Sequence, residues 1–258
     1  MTFFHSLILG IVEGLSEFLP ISSTGHLILV SELLRIPATV FSKSFNIIIQ
    51  LGAIAAVIVL YWDKLRNLDL WKKLIVAFIP TGIIGLALYK VVKTYLLGNS
   101  LVVLWSLFLG GIAIIIFEWW QKKKVEPVDE ISSITYRQAL LIGLFQSIAI
   151  IPGISRSAAT IVGGLAMGLS RKTIVRFSFL LAIPTMLAAS GLDLVKNYSA
   201  FSTDQFGSLA VGFIVSFIVA VVSIRFLLGY IRNHDFTAFG IYRIVIAVIF
   251  YLVIFGLR

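Results

Sequence analysis

The sequence predicts an all-α polytopic membrane protein with an inverted-topology repeat, in which each half is a re-entrant helical hairpin followed by three spanning helices. Of the 258 residues, 59% are hydrophobic and only 13% are charged, and the mean hydropathy is +1.04. Soluble domains contain roughly 45–50% apolar and about 25% charged residues. Long apolar runs recur along the chain, and two apolar regions are interrupted at comparable places in the two halves. Composition therefore indicates the class of protein, and the interruptions indicate the repeat.

Six stretches are long and apolar enough to cross a bilayer core, which takes about 20 residues. They are residues 45–62, 74–92, 101–120, 173–192, 207–228 and 239–257. A cleaved signal would be one short apolar stretch near the N-terminus, whereas these runs continue along the chain. The apolar segments are therefore expected to be the fold itself.

Two further apolar regions, residues 1–36 and 138–170, are broken in the middle. The breaks read "EFLPISSTGH" and "IIPGISRSAAT", and both contain proline, glycine and hydroxyl-bearing residues. Each half of a broken region is too short to span comfortably, which is typical of re-entrant or interfacial segments.

The two broken regions also resemble each other. Aligning them pairs Gly10 with Gly143, Glu13 with Gln146, Pro20 with Pro152, and Ser22–Ser23 with the region of Ser155. The alignment predicts a single membrane domain over 1–258, with one repeat at about 1–120, a connector at about 121–137 and a second repeat at about 138–258.

Basic residues are distributed unevenly over the predicted loops. If each hairpin leaves the membrane on the side it entered, the loops 63–73, 121–137, 169–176 and 225–243 share one face and carry more than twice as many basic residues as the other face. Cytoplasmic loops are enriched in Lys and Arg, so this face is predicted to be cytoplasmic. The basic residues on the predicted cytoplasmic face are Lys64, Arg66, Lys72, Lys73, Lys122, Lys123, Lys124, Arg137, Arg171, Lys172, Arg176, Arg225, Arg232 and Arg243. Those on the other face are Arg35, Lys43, Lys90, Lys93, Lys196 and Arg258.

Glu13 and Glu17 lie four residues apart before the first break, so a helix would place both carboxylates on one face. Two carboxylates in apolar surroundings repel unless they share a proton, bind a cation or face water. From the spacing alone, an interfacial helix with solvated acids and a functional site are both open. The position beside the break favours a site.

Hydroxyl groups follow the first break at Ser22, Ser23 and Thr24. Such side chains cap free N–H groups at the start of a helix, and the same helix end can bind an anion. His26 lies within one turn of Ser23, where an imidazole could accept the hydroxyl proton. A histidine at this position could equally be a hydrogen-bonded packing residue.

The second break places Arg156 among Ser155, Ser157 and Thr160. Arginine stays protonated, so Arg156 requires an anionic partner. That partner could be Glu13 or Glu17 in an internal ion pair, or a phosphate held bidentately at the helix N-terminus. Two carboxylates together with an arginine favour a metal-bridged phosphate, because carboxylates alone would repel the substrate.

The motifs "EGLSEFLPISSTGH" and "PGISRSAAT" resemble the two signature motifs of the bacterial undecaprenyl-diphosphate phosphatase family, whose integral-membrane enzymes are linked to bacitracin resistance. The resemblance covers essentially the whole chain. It implies hydrolysis of the C55 polyprenyl diphosphate to the monophosphate carrier of cell-wall synthesis. It also implies a location in the bacterial cytoplasmic membrane, with the site facing the outer side.

The resemblance also implies roles for individual residues. Glu13 and Glu17 would hold a divalent cation, Mg²⁺ or Ca²⁺. Ser23 would be the nucleophile with His26 as its base, although His26 itself or a water molecule could attack instead. Phosphate oxygens would be bound by the remaining residues of the two motifs, namely Arg156, Ser155, Ser157, Thr160, Ser22 and Thr24.

A different class of function remains open at this point, since a flippase of polyprenyl phosphate or another anion transporter would use the same residues for binding alone, and one protein could do both. A channel is disfavoured because its pore would need polar residues along several helices.

The net charge of +9 is expected to serve membrane orientation and lipid contact, not nucleic-acid binding. The sequence leaves the oligomeric state open, including a homodimer. It contains no cysteine, which excludes disulfides and thiolate metal sites.

Overall fold

The computed structural model describes residues 1–96, 99–121, 130–197 and 205–256, and these are helical with no strand. Within these residues, six helices are long and apolar enough to cross a membrane, which confirms the six predicted spans. The helices are α1 (Phe3–Ser16), α2 (Ser23–Leu33), α3 (Val40–Leu60), α4 (Leu68–Val91), α5 (Ser100–Gln121), α6 (Tyr136–Ser147), α7 (Arg156–Ala166), α8 (Arg171–Asn197), α9 (Phe206–Tyr230) and α10 (Thr237–Phe255). The six candidate spans are α3, α4, α5, α8, α9 and α10. The chain is a multi-pass membrane protein.

Both predicted breaks are present. Helices α1 and α2 are separated by residues 17–22, and α6 is separated from α7 by residues 148–155, which include a short 3₁₀ turn. Ser22 and Ser155 are the N-caps of α2 and α7, with φ values of 72° and 78°. Each side chain accepts a hydrogen bond from the backbone N–H three residues later. The two breaks therefore end in the same local conformation, one that side-chain-bearing residues rarely adopt.

Helices from the two halves pack against each other in a reciprocal pattern. Helix α1 packs on α9 and α6 packs on α4, while α3 packs on α8 and α5 on α10. Glycines permit the close approaches: a Cβ on Gly10 would lie 2.8 Å from the carbonyl oxygen of Gly212, and one on Gly143 would lie 2.0 Å from that of Ala77. Gly10 and Gly143 are the positions paired by the repeat alignment.

Arg243 corrects one expectation from the sequence. It was assigned to a cytoplasmic loop, but it lies inside α10 and is fully buried. Its guanidinium donates to five carbonyl oxygens, those of Ser106, Leu107, Pro20, Gly153 and Ile154. These carbonyls belong to α5 and to both breaks, so one cation joins three segments. Some of the other basic residues counted on the two predicted faces lie outside the described residues, namely Lys122, Lys123, Lys124 and Arg258. The side chain of Lys93 also lies outside them.

Candidate active site

Three predicted site residues meet where the breaks converge. Glu17 ends α1, Ser23 begins α2 and Arg156 begins α7. One carboxylate oxygen of Glu17 lies 3.1 Å from Nη2 of Arg156. The other accepts a hydrogen bond from the hydroxyl of Ser23. A single buried carboxylate thus joins an arginine and a serine from opposite halves of the chain.

The guanidinium of Arg156 is held from a second side by Ser178 on α8. Nη1 donates to the Ser178 carbonyl at 2.6 Å and approaches its hydroxyl at 3.3 Å. The Nε–H group of Arg156 is buried and has no partner among the described residues. The arginine is therefore fixed in place and retains a donor that could bind an anion.

The other hydroxyls of the two motifs bond to the protein framework. Thr160 contacts the hydroxyl of Ser178 at 2.7 Å and the carbonyl oxygens of Arg156 and Ser157 at 3.0 Å. Ser157 donates to the carbonyl of Phe18 at 2.9 Å, which ties α7 to the first break. Thr24 is half-buried in the first turn of α2. These contacts hold the two breaks together, and phosphate binding by these hydroxyls stays a prediction.

Glu13 lies one helical turn before Glu17 and is completely buried. Its carboxylate oxygens lie against the carboxylate of Glu17 and accept no hydrogen bond from a donor among the described residues. Buried polar atoms nearly always have partners, so this carboxylate lacks a donor or a cation. In the described part of the chain, no three His, Cys, Asp or Glu side chains lie close enough together to hold a metal ion. A cation here would therefore rest on two carboxylates, with other oxygens completing its shell.

His26 does not contact Ser23 in the way the sequence suggested. Its Nδ1 lies 2.8 Å from the carbonyl oxygen of Ser22, and its Nε2 lies 2.9 Å from the hydroxyl of Tyr242. Ser23 donates to Glu17 instead, and His26 bonds to Ser22 and Tyr242, so the expected Ser23–His26 hydrogen bond does not form.

Sequence reasoning missed Ser178, Tyr242 and Arg243. Ser178 and Tyr242 lie within apolar spans, and no local pattern distinguishes them from packing residues. Arg243 did carry a signal, because an ionisable residue inside a spanning segment usually has a specific role. Its five carbonyl partners come from distant positions and could not be read from the sequence.

A cavity of about 690 Å³ lies away from this cluster, where α3 ends and α4 begins. Tyr61, Arg176 and Arg225 are among its lining residues, and none of the predicted site residues lines it. The convergence of the two breaks, not this cavity, is the candidate active site.

Residues 6–249 match the family described as "Bacitracin resistance protein BacA". A protein of Aquifex aeolicus named undecaprenyl-diphosphatase is 52% identical over 251 residues, covering 97% of this chain and 98% of that protein. Proteins of the same name from Sulfurihydrogenibium and Methanococcus aeolicus are 51% and 47% identical, covering 98% and 96% of this chain and 99% and 97% of their own lengths. The chain belongs to the bacitracin resistance protein BacA family.

Proposed function

We propose that this protein hydrolyses undecaprenyl diphosphate to undecaprenyl phosphate and inorganic phosphate in the bacterial cytoplasmic membrane. The observation that carries the proposal is the Glu17 carboxylate placed between Arg156 and Ser23 at the converging helix ends. The names of relatives that match nearly the whole chain support the same reaction. The bond between the bridging oxygen and the terminal phosphorus breaks, and water supplies the oxygen of the new phosphate.

Arg156 binds the diphosphate in this proposal. Phosphoryl transfer is catalysed mainly by positioning and by stabilising charge on the phosphoryl oxygens. Arg156 has a free Nε–H donor and begins α7, whose first N–H groups favour an anion. The hydroxyls of Ser155, Ser157 and Thr160, which the sequence predicts to bind phosphate oxygens, fix the conformation of the second break around Arg156.

Ser23 is the nucleophile that the geometry favours. Its hydroxyl donates to Glu17, so this carboxylate is placed to accept the proton as the oxygen attacks phosphorus. Water then attacks the phosphoserine and gives its proton to a base, the bond between phosphorus and the serine oxygen breaks, and Glu17 returns its proton to that oxygen. His26, one turn beyond Ser23 on α2, is proposed as the base for this water, and its Nε2 must exchange the Tyr242 hydroxyl for the water to do so.

Glu13 and Glu17 fit a divalent cation such as Mg²⁺ or Ca²⁺. Hard cations take oxygen ligands, and the buried carboxylate of Glu13, which has no donor among the described residues, provides two. When bound, the cation would neutralise diphosphate charge. Arg156 would act beside it as the positive group that contacts Glu17.

The architecture proposed with this function is the inverted repeat, with re-entrant hairpins formed by α1–α2 and α6–α7. The reciprocal packing of α1 on α9 and α6 on α4 supports it, as do the matching N-caps Ser22 and Ser155. The site is proposed to open to the outer side, with the isoprenoid tail in lipid. Glu17, Ser23 and Arg156 all come from this chain, and a homodimer stays a prediction.

A flippase or anion transporter is the competing function, and the names of the full-length relatives do not favour it. The decisive measurement is phosphate release from undecaprenyl diphosphate and shorter isoprenyl diphosphates by purified protein in detergent, with and without chelator. Wild type should release phosphate and Glu17→Ala should not. A folded wild type that binds the lipid without releasing phosphate would overturn the hydrolase proposal and leave a carrier.

A further inference from the structure

The cavity of about 690 Å³ lies between the ends of four spanning helices, apart from the candidate active site. Its lining comes from the end of α3, the start of α4, the start of α8 and the end of α9, together with residues 130–132. The loops next to these helix ends belong to the face predicted to be cytoplasmic. Because the ends of spanning helices lie near the lipid headgroups, a headgroup could enter this cavity.

Two arginines line the cavity from different helices. Arg176 lies more than one turn after the start of α8, and Arg225 lies more than one turn before the end of α9. Neither forms an ion pair with a carboxylate of the described residues. Arg176 lies beside the hydroxyl of Tyr61, which is neutral and does not balance its charge. An ionisable residue within a spanning helix is costly and usually has a specific partner, so an anion is missing from this part of the structure.

The carboxylates that line the cavity do not provide that anion. Asp69 pairs with Lys73 at 2.7 Å, and Glu130 accepts a hydrogen bond from the hydroxyl of Ser132 at 2.7 Å. The third acid in the lining, Asp63, is exposed to solvent. The charges of the two arginines are therefore left for a ligand.

The phosphate group of a lipid fits this lining better than a free anion does. A guanidinium group binds phosphate bidentately, and basic pockets between spanning helices on the cytoplasmic side bind anionic headgroups. Apolar side chains stand beside the arginines and suit the part of a lipid next to its phosphate, whereas a free phosphate would leave them uncovered. They are Leu60, Leu70, Ile224 and Leu228.

We propose that this cavity binds the phosphate group of an anionic phospholipid, held by Arg176 on α8 and Arg225 on α9. The bound phosphate joins two helices that both pack on α3, so binding stabilises the folded protein. The lipid is not a substrate at this position, and the inference does not depend on the proposed hydrolysis.

Thermal unfolding in detergent with added lipid tests the proposal. Wild type should melt several degrees higher with phosphatidylglycerol than with neutral phosphatidylcholine, because a ligand of the folded state stabilises it. Arg176→Gln/Arg225→Gln should lose most of this difference. Arg66→Gln/Arg232→Gln is the matched control, because both side chains are exposed on the same predicted face and neither lines the cavity. Equal lipid effects in the two double variants would indicate general surface charge and overturn the proposal.

Native mass spectrometry measures the bound lipid directly. We expect Arg176→Gln/Arg225→Gln to weaken phosphatidylglycerol binding at least about tenfold, since each basic residue near an anionic headgroup contributes to its attraction. Arg225→Gln alone should weaken binding about fivefold. Its exposed side chain makes this variant the fallback if the double variant does not fold. Wild-type lipid binding by Arg225→Gln would contradict the assigned contact.

Two further arms identify the ligand and its place. Inorganic phosphate at millimolar concentration should protect wild type less than phosphatidylglycerol does, and equal protection would overturn the lipid assignment in favour of a free anion. Glu17→Gln/Arg156→Gln changes the active-site pair and should keep the phosphatidylglycerol effect. Loss of the effect in that variant would place the lipid at the active site and overturn the proposal. Absence of phosphate release from undecaprenyl diphosphate would overturn the proposed function alone.

Discussion

Arg156 and Glu17 form a buried ion pair across the two halves of the chain, with 3.1 Å between Nη2 and Oε1 and side-chain exposures of 9% and 3%. Removing one partner of such a pair leaves an uncompensated buried charge and typically costs 3–5 kcal/mol. Loss of activity in a single variant would therefore not distinguish a structural pair from a substrate-binding one.

Removing both charges makes that distinction. We expect Glu17→Gln/Arg156→Gln to recover most of the thermal stability lost by either single variant, because no unpaired charge remains. Activity should stay at least about a hundredfold below wild type, since the donors for phosphate are gone. Recovery of both stability and phosphate release would show that the pair is structural only.

Ser23→Ala should abolish phosphate release without unfolding the protein. The variant removes the hydroxyl that donates to Glu17, and we expect a loss of at least about a hundredfold in kcat. Ser216→Ala on α9 is a suitable control, because that hydroxyl is buried and has no hydrogen-bond partner among the described residues. Wild-type turnover by Ser23→Ala would exclude this serine as nucleophile.

Glu13→Gln should change the cation requirement more than the fold. We expect the Mg²⁺ concentration for half-maximal phosphate release to rise about tenfold or more, because one carboxylate ligand is lost. Stability without added cation should be equal or higher, since a neutral amide replaces a buried carboxylate that lacks donors. An unchanged cation titration would argue against Glu13 as a ligand.

The second break offers a test of backbone conformation at Ser155. Its φ of 78° suits glycine, and its hydroxyl caps α7. Ser155→Gly should lower the unfolding free energy by only a few tenths of a kcal/mol, whereas Ser155→Ala should cost about 1–2 kcal/mol, through loss of the cap and a strained φ. Melting temperatures of the two variants should differ in this order, and the reverse order would contradict the assigned cap.

Gly110→Ala should disturb Arg243. An added Cβ would lie 2.1 Å from Nη2 of that guanidinium, which five carbonyl contacts keep from moving aside. We expect a loss of about 1–3 kcal/mol in stability, together with reduced activity. Gly191→Ala in α8 meets no atom within 4 Å and should be neutral or slightly stabilising. Equal melting temperatures for the two variants would mean that Arg243 can be displaced without cost.

Local patterns predicted the helices and the two breaks that carry the candidate site residues. Hydropathy located the spans, and the proline, glycine and hydroxyl residues located both breaks, because these signals depend on neighbours in sequence. The contact of Arg156 with Glu17 is one of the alternatives that the need of a buried cation for an anion left open. The hydrogen bond of His26 to Tyr242 could not be predicted, because an apolar span conceals which of its aromatic residues faces the site.

The five carbonyl contacts of Arg243 have a consequence for biosynthesis. The ribosome makes Ser106, Leu107, Pro20, Gly153 and Ile154 before it makes Arg243. The two breaks can contact each other through Ser157 and Arg156 before then, but the five bonds of Arg243 form only after α10 is inserted. A nascent chain arrested before α10 should therefore be inactive, and assembly of the site is a late step in the maturation of the protein.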